Sequence, residues 1–173
     1  IRWIEATQGG GGTEIVPALQ RALALPRDEH VSRTVVIVTD GYIAAENRVF
    51  EIIQNNLNTT NFFSFGIGSS VNRYLIEGMA RAGLGEPFVV TEPAEAGSAA
   101  KRFREYVASP VLTNVQVQSN GFEIYDIEPP SIPNLLAERP IVVFGKWRGA
   151  RVGSIEVSGK SAHGHYRKVF KVS

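Results

Sequence analysis

The stretch Thr34-Val-Val-Ile-Val-Thr-Asp-Gly41 decides the fold of this chain. Four consecutive aliphatic, β-branched residues make it apolar on both faces, which is typical of a strand inside a parallel sheet. Asp40-Gly41 then breaks the run at its carboxyl end. Because a strand that is apolar on both faces needs a layer on each side, the stretch predicts an α/β domain.

Helical patterns alternate with short apolar runs on both sides of this strand. Thr13 has the position of an N-cap, Glu14 lies in the first turn, and Pro17 is tolerated there. Three more helices and two more strands are predicted at 46–57, 71–82 and 95–108, and at 62–67 and 88–90. The alternation predicts βαβ units and a Rossmann-like parallel sheet with flanking helices. Residues 1–7 read as the end of a helix, so we expect a domain truncated at its N-terminus.

The pattern changes near Ser109–Pro110. We therefore predict two units, an α/β unit over 1–109 and a β-rich segment over 110–173. Alternating residues from Val111 and a turn at Asn120-Gly121 indicate five short antiparallel strands, as in half of a sandwich.

Thr13 and Asp40 are the candidate metal ligands. Ligands of open parallel sheets bind at the carboxyl ends of the strands. Asp40 directly follows the predicted strand 34–39, and Thr13 lies at the start of a predicted helix. A hydroxyl, a carboxylate and water are hard oxygen donors that suit Mg²⁺. Each residue also has an ordinary explanation, since Thr is a common N-cap and Asp-Gly a common turn.

Other sites are weaker. Gly66-Ile67-Gly68 follows a strand but lacks the third glycine of a dinucleotide fingerprint, and no Gly-Lys-Ser/Thr follows the glycines at 9–12. His163 and His165 are spaced to share one side of a strand, yet no third ligand lies nearby in the sequence. An α/β enzyme that uses a metal or a nucleotide at the strand edge therefore remains the alternative, as does a scaffold with a vestigial metal site.

Gly11-Gly12-Thr13 and Val36-Ile-Val-Thr-Asp40-Gly41 resemble the second and third metal-site motifs of von Willebrand factor A domains. The resemblance implies a metal-ion-dependent adhesion site to which Thr13 and Asp40 contribute. The family's first motif, Asp-x-Ser-x-Ser, is absent. We therefore expect Mg²⁺, or another divalent cation, to bind the intact domain and to bind this chain weakly or not at all.

Residues 106–115 and 141–146 are similar to the inter-alpha-trypsin inhibitor heavy chains and their bacterial relatives. That resemblance implies a non-enzymatic adhesion or interaction module, binding a protein or matrix-type ligand through an acidic group. We expect an extracellular, cell-surface or periplasmic location. The missing first strand further predicts an exposed sheet edge through which the chain forms a homo-oligomer.

The net charge of +1 does not favour binding to nucleic acid, and we expect no nucleic-acid partner. From residue 140 onwards, however, seven Lys and Arg face a single acid, Glu156. A polyanion is one interpretation, and solvated strand faces are the simpler one. The candidate polyanion-binding residues are Lys146, Arg148, Arg151, Arg167 and Lys168.

Overall fold

The computed structural model describes residues 6, 12–28, 31–43, 45–108, 110–136 and 140–173. The first part alternates α1 (Ile15–Leu23), β1 (Arg33–Thr39), α2 (Glu46–Gln54), β2 (Thr60–Ile67), α3 (Arg73–Ala82), β3 (Phe88–Val90) and α4 (Ala96–Val107). The second part contains β4 (Pro110–Glu128), β5 (Leu135–Leu136), β6 (Phe144–Ser161) and β7 (Gly164–Val172). The predicted helix end at residues 1–7 and most of the glycine run lie outside the described residues, apart from residues 6 and 12.

The first part is a parallel three-stranded sheet in the order β1-β2-β3. Arg33 pairs with Thr60 and Thr39 with Gly66, and Phe65 then pairs with Phe88 on the next strand. The α/β prediction is confirmed. None of the described helices is both long and apolar enough to cross a membrane.

Two hydrophobic cores lie on the two faces of this sheet. Side chains of α1, α2 and α3 pack around Phe62 and Ile37 on one face. On the other face Phe63 and Phe88 pack with Phe103 of α4, and the rings of Phe63 and Phe103 are 5.1 Å apart. The adjacent residues Phe62 and Phe63 thus belong to different cores, as the alternation of a strand requires.

The prediction that β1 is buried on both faces is wrong. Val36 is 43% exposed and Val38 is 58% exposed, whereas Ile37 between them is buried. The reason is that α4 contacts β3 and the aromatic residues of β2, so its cover does not extend to β1. Among the strands that the structure describes, β1 pairs only with β2 and therefore lies at the edge of the sheet.

The second part is a four-stranded sheet in the order β5-β4-β6-β7, with antiparallel pairing throughout. The antiparallel prediction is right, but the division into five short strands is wrong. β4 runs unbroken for 19 residues and β6 for 18. Residues 141–143 precede β6 without strand structure.

The predicted turn at Asn120-Gly121 lies instead inside the continuous strand β4, opposite an irregularity of β6. Gly121 has φ +92°, and the pairing of β4 with β6 shifts register between Asn120 and Phe122. The two other register shifts in this pair contain Asn114 (φ +51°) and Asp126 (φ +48°). At Asn114 and Asp126 the one extra residue lies on β4, whereas at Gly121 the extra residues lie on β6. None of these irregularities turns the chain back, so a turn-like dipeptide is compatible with a continuous strand.

Polar side chains join the two parts at the amino ends of β1 and β2. Ser32 Oγ accepts hydrogen bonds from Asn61 Nδ2 at 2.9 Å and from Asn134 Nδ2 at 3.4 Å. Asn134 is buried, and its Oδ1 accepts the backbone N–H of Asn114 at 3.3 Å. Leu136 of β5 adds an apolar contact, because it is buried in the aromatic core with Phe63.

Candidate functional site

The carboxyl ends of β1, β2 and β3 lie at one edge of the sheet because the three strands are parallel. Asp40 follows β1, Gly68 follows β2 and Thr91 follows β3. This edge is where an open α/β sheet places its ligands.

Thr13 lies at the end of β1, although it does not cap α1 as predicted. The N-cap position is Glu14, and no side chain makes a capping hydrogen bond there. Thr13 Oγ1 instead lies against Gly41, 3.0 Å from the position that a Cβ on Gly41 would occupy. The sequence correctly predicted that Thr13 lies just before α1, but it did not predict that the hydroxyl contacts Gly41.

The turn after β1 leaves the Asp40 side chain exposed. Thr39 is buried, and its Oγ1 accepts the backbone N–H of Gly41 at 3.2 Å, which holds the turn. Within the described parts of the chain, neither the Asp40 carboxylate nor the Thr13 hydroxyl has a hydrogen-bond or ion-pair partner. Both oxygens are therefore available at this edge.

Thr13 and Asp40 fit part of a site for a hard cation. A threonine hydroxyl and an aspartate carboxylate are oxygen ligands, and Mg²⁺ retains several waters when it binds proteins. The described residues contain no group of three or more His, Cys, Asp or Glu placed to hold a metal ion. Any cation here would rely on water, or on a ligand from elsewhere, to complete its coordination.

Gly66 and Gly68, which the sequence suggested as part of a dinucleotide-binding motif, have structural roles. A Cβ on Gly66 would collide with Val71 and would lie 2.9 Å from Ile76 Cγ1, so the glycine allows α3 to pack close to β2. Gly68 has φ +108°, which favours glycine. Asn72 then caps α3 by accepting the backbone N–H of Leu75 at 3.2 Å.

Sequence reasoning missed a capping box after β3. Glu95 Oε2 accepts hydrogen bonds from the backbone N–H groups of Thr91 (2.8 Å) and Glu92 (3.2 Å) and from the Thr91 hydroxyl. The bond from the Thr91 backbone is the main cause of the lowered pKa of Glu95, with the Glu92 backbone next. Two glutamates three residues apart before a helix were the available signal. This carboxylate caps the short 3-10 helix Pro93–Glu95, which precedes α4, and is not available to a ligand.

Three of the five candidate polyanion-binding residues pair with acids on their own sheet. Lys146 contacts Asp126 at 2.8 Å, and Arg148 makes two hydrogen bonds of 2.7 Å to Glu123. Arg167 pairs with Glu156, and its hydrogen bond is the main cause of the lowered pKa of Glu156. Lys168 lies over the Phe170 ring, and Arg151 is exposed. These pairs favour the interpretation as solvated strand faces.

His163 and His165, considered above as a pair of metal ligands, do not lie on the same strand. His163 lies in the turn between β6 and β7, and His165 lies in β7. His165 Nδ1 is 3.1 Å from the Gly159 carbonyl oxygen and 3.0 Å from that of Tyr166, so this nitrogen is occupied by the backbone.

The sequence and structure of known proteins match this architecture. Residues 1–86 match the profile of the von Willebrand factor type A domain. Residues 1–86 belong to this family. Domains of the family generally mediate protein interactions.

Relatives extend the similarity beyond the A-type domain. A von Willebrand factor A domain-containing protein of Dictyostelium discoideum is 30% identical over 136 residues, covering 78% of this chain and 15% of that protein. Inter-alpha-trypsin inhibitor heavy chain H2 of Homo sapiens is 27% identical over 171 residues, covering 90% of this chain and 18% of that protein. The chain therefore spans less than a fifth of either relative.

A solved structure, the von Willebrand factor type A protein from Catenulispora acidiphila, shares the fold. It superposes with a TM-score of 0.58 at 16% identity, covering 98% of this chain and 48% of that one. The coverage includes both the A-type part and the β-rich part, so the two occur together in a second protein of the family.

Proposed function

We propose that this chain is part of a non-enzymatic binding module that, in the intact domain, contacts an acidic group of a protein or matrix-type ligand through a divalent cation. Thr13 and Asp40 are the proposed ligands on the chain, and Mg²⁺ is the proposed ion. The observation that carries the proposal is the position of the Thr13 hydroxyl against Gly41, beside the exposed Asp40. Membership of a family of interaction domains supports it.

The cation would leave coordination positions for the partner. Two protein oxygens are few for Mg²⁺, and the remaining positions hold water that a carboxylate of the partner replaces. An exposed site suits this role, because a protein-sized partner must reach the ion. An adhesion role places the protein outside the cell, at the cell surface or in the periplasm, which we propose as its location.

The proposed site is testable with Mn²⁺, whose paramagnetism broadens nearby amide signals in NMR spectra even when binding is weak. Substoichiometric Mn²⁺ should broaden the amides of Thr13, Asp40 and Gly41 first. Asp40→Asn and Thr13→Ala should each reduce the broadening, because each removes or weakens one oxygen ligand. Asp126→Asn is the matched control, since Asp126 is an exposed aspartate of the second sheet.

Excess Mg²⁺ should reverse the broadening if both ions use the same site. Broadening centred elsewhere, or unchanged in Asp40→Asn, would show that these residues do not hold the ion. Steady hydrolysis of simple phosphates or esters by the chain in Mg²⁺, lost in Asp40→Asn, would contradict the non-enzymatic proposal and favour the α/β enzyme.

A further inference from the structure

Asn120 is the only one of the nine asparagines of this chain that is followed by a glycine. An asparagine side chain is able to react with the backbone nitrogen of the next residue. Glycine hinders that reaction least, because it has no Cβ to crowd the nitrogen and the widest choice of backbone angles. The sequence therefore favours this reaction at Asn120-Gly121 over every other asparagine.

The side chain of Asn120 is open to water, because the residue is exposed. Within the part of the chain that the structure describes, no hydrogen bond holds its side-chain amide. The amide groups of Asn61 and Asn134 are both engaged by hydrogen bonds, and Asn72 caps α3 with its side-chain oxygen. The amide of Asn120 is thus free to turn towards the backbone.

The pairing of β4 with β6 is interrupted at this dipeptide. Asn120 pairs with Ser154 of β6. Phe122, two residues on, pairs with Gly149. Gly121 has no partner in this register, and residues 150–153 of β6 have none on β4. The ladder that holds the rest of the strand is therefore missing at the reactive peptide group.

The backbone of β4 is also bent at this point. Gly121 has φ +92°, far from the values of an extended strand. Ser119 Oγ donates a hydrogen bond to the Phe122 carbonyl oxygen at 2.8 Å. A straight strand would place these two residues about 10 Å apart, beyond the reach of such a bond.

We propose that Asn120 deamidates in the folded chain without the help of an enzyme. The Gly121 nitrogen attacks Cγ of Asn120, the bond from Cγ to Nδ2 breaks, and ammonia leaves with the hydrogen that the Gly121 nitrogen gives up. The product is a five-membered succinimide ring. Water then opens the ring. Cleavage between the nitrogen and Cγ gives aspartate, and cleavage between the nitrogen and the main-chain carbonyl carbon gives isoaspartate.

Isoaspartate would change the second sheet, because its main chain runs through Cβ and Cγ. β4 becomes one atom longer just before Phe122. The ring of Phe122 packs edge-on against Trp147 with centroids 6.4 Å apart, and residues 122–125 pair with β6 in regular register. The extra atom shifts this segment relative to β6. We expect the sheet to lose stability as the chain ages.

Peptide mapping by mass spectrometry of the 173-residue chain, stored at neutral pH, tests the proposal. Deamidation exchanges NH₂ for OH, so the peptide that contains Asn120 should gain about 1 Da. Chromatography separates its isoaspartate and aspartate forms. We expect Asn120 to react at least roughly tenfold faster than each of the other asparagines. Its rate in the folded chain should lie within roughly tenfold of its rate in urea, because no ladder protects it.

Ser158→Asn is the matched control, because it creates a second Asn-Gly dipeptide inside β6. There the pairing with β7 is regular, with Ser158 opposite Arg167 and Gly159 opposite Tyr166. The new dipeptide should react at least roughly tenfold slower than Asn120 in the folded chain and at a similar rate in urea. Circular dichroism verifies that the variant is folded.

Asn120→Gln should abolish the mass gain, and with it the fall in the urea midpoint that we expect on ageing of the wild-type chain. A wild-type chain in which Asn120 stays intact would overturn the proposal. So would a rate at Asn120 no higher than that of the control dipeptide, or a rate more than about a hundredfold below that in urea, since either would show that the strand protects the site.

Discussion

Gly41 is the residue on which the geometry of the candidate site depends. Its missing side chain leaves room for the Thr13 hydroxyl, and its N–H fixes the turn through Thr39. A methyl group at this position would lie 3.0 Å from Thr13 Oγ1, closer than ordinary packing allows. Thr13 would have to move away from Gly41.

We therefore expect Gly41→Ala to weaken Mn²⁺ binding by about tenfold or more, as loss of a group that positions a metal ligand commonly does. Thr13 is exposed and able to shift, so stability should fall by less than about 1 kcal/mol. NMR broadening and urea denaturation measure the two effects. Gly12→Ala is the control, because a Cβ on Gly12 meets nothing within 4 Å; equal losses in both variants would argue against this role of Gly41.

Single residues also mark the limit of what sequence can predict at the site. Asp40 was found because it directly follows the most apolar strand. The contact between Thr13 and Gly41 joins residues 28 positions apart along the chain, and no local pattern contains it. The capping role assigned to Thr13 failed because α1 begins one residue later than the pattern indicated, which places Glu14 at the N-cap.

At the scale of elements, β4 shows that a dipeptide typical of turns also occurs inside a continuous strand. Asn-Gly favours a tight hairpin because both residues tolerate positive φ. The same tolerance suits a register shift between two paired strands, and only the pairing partner distinguishes the two outcomes. In this chain β6 pairs with both halves of β4, so the dipeptide accommodates a shift in register and does not reverse the chain. Sequence alone could not supply that partner.

Gly121→Ala should destabilise the protein more than Gly164→Ala. Both glycines have positive φ, +92° and +111°, so both variants bear a backbone penalty of about 1–2 kcal/mol. Only at Gly121 would the new Cβ also lie 2.8 Å from the Val152 carbonyl oxygen, whereas nothing lies within 4 Å at Gly164. We expect this crowding to add about 1–3 kcal/mol, measured by urea denaturation. Equal losses would mean that the strands relax around Gly121 to accept a side chain.

At the scale of the whole molecule, Asn134 connects the two sheets. It is 4% exposed, and it reaches Ser32 before β1 and the backbone of Asn114 in β4. The spacing of apolar residues predicted the helices of the first part and the extended structure of the second. That spacing gives no information about contacts between elements. The polar contacts between the parts were therefore beyond the reach of the sequence.

Asn134→Ala should cost about 1–3 kcal/mol, because it leaves the partly buried N–H of Asn114 without its acceptor. Hydrogen exchange of that amide should accelerate more than global unfolding requires. Asn55→Ala, at an exposed position after α2, is the control and should change neither quantity by much. Unchanged exchange at Asn114 in Asn134→Ala would show that the contact does not hold the two parts together.

The sharing of β2 between the two cores has a consequence for how the molecule comes apart. Phe62 belongs to the layer of α1–α3, while Phe63 belongs to the aromatic layer that Leu136 of the second sheet also enters. Neither layer is able to melt while the other keeps this strand in place. Loss of β2 would remove the shared strand from both layers and the contact with Leu136 of the second sheet. We therefore expect this chain to unfold in a single cooperative transition that depends on the eight-residue strand β2.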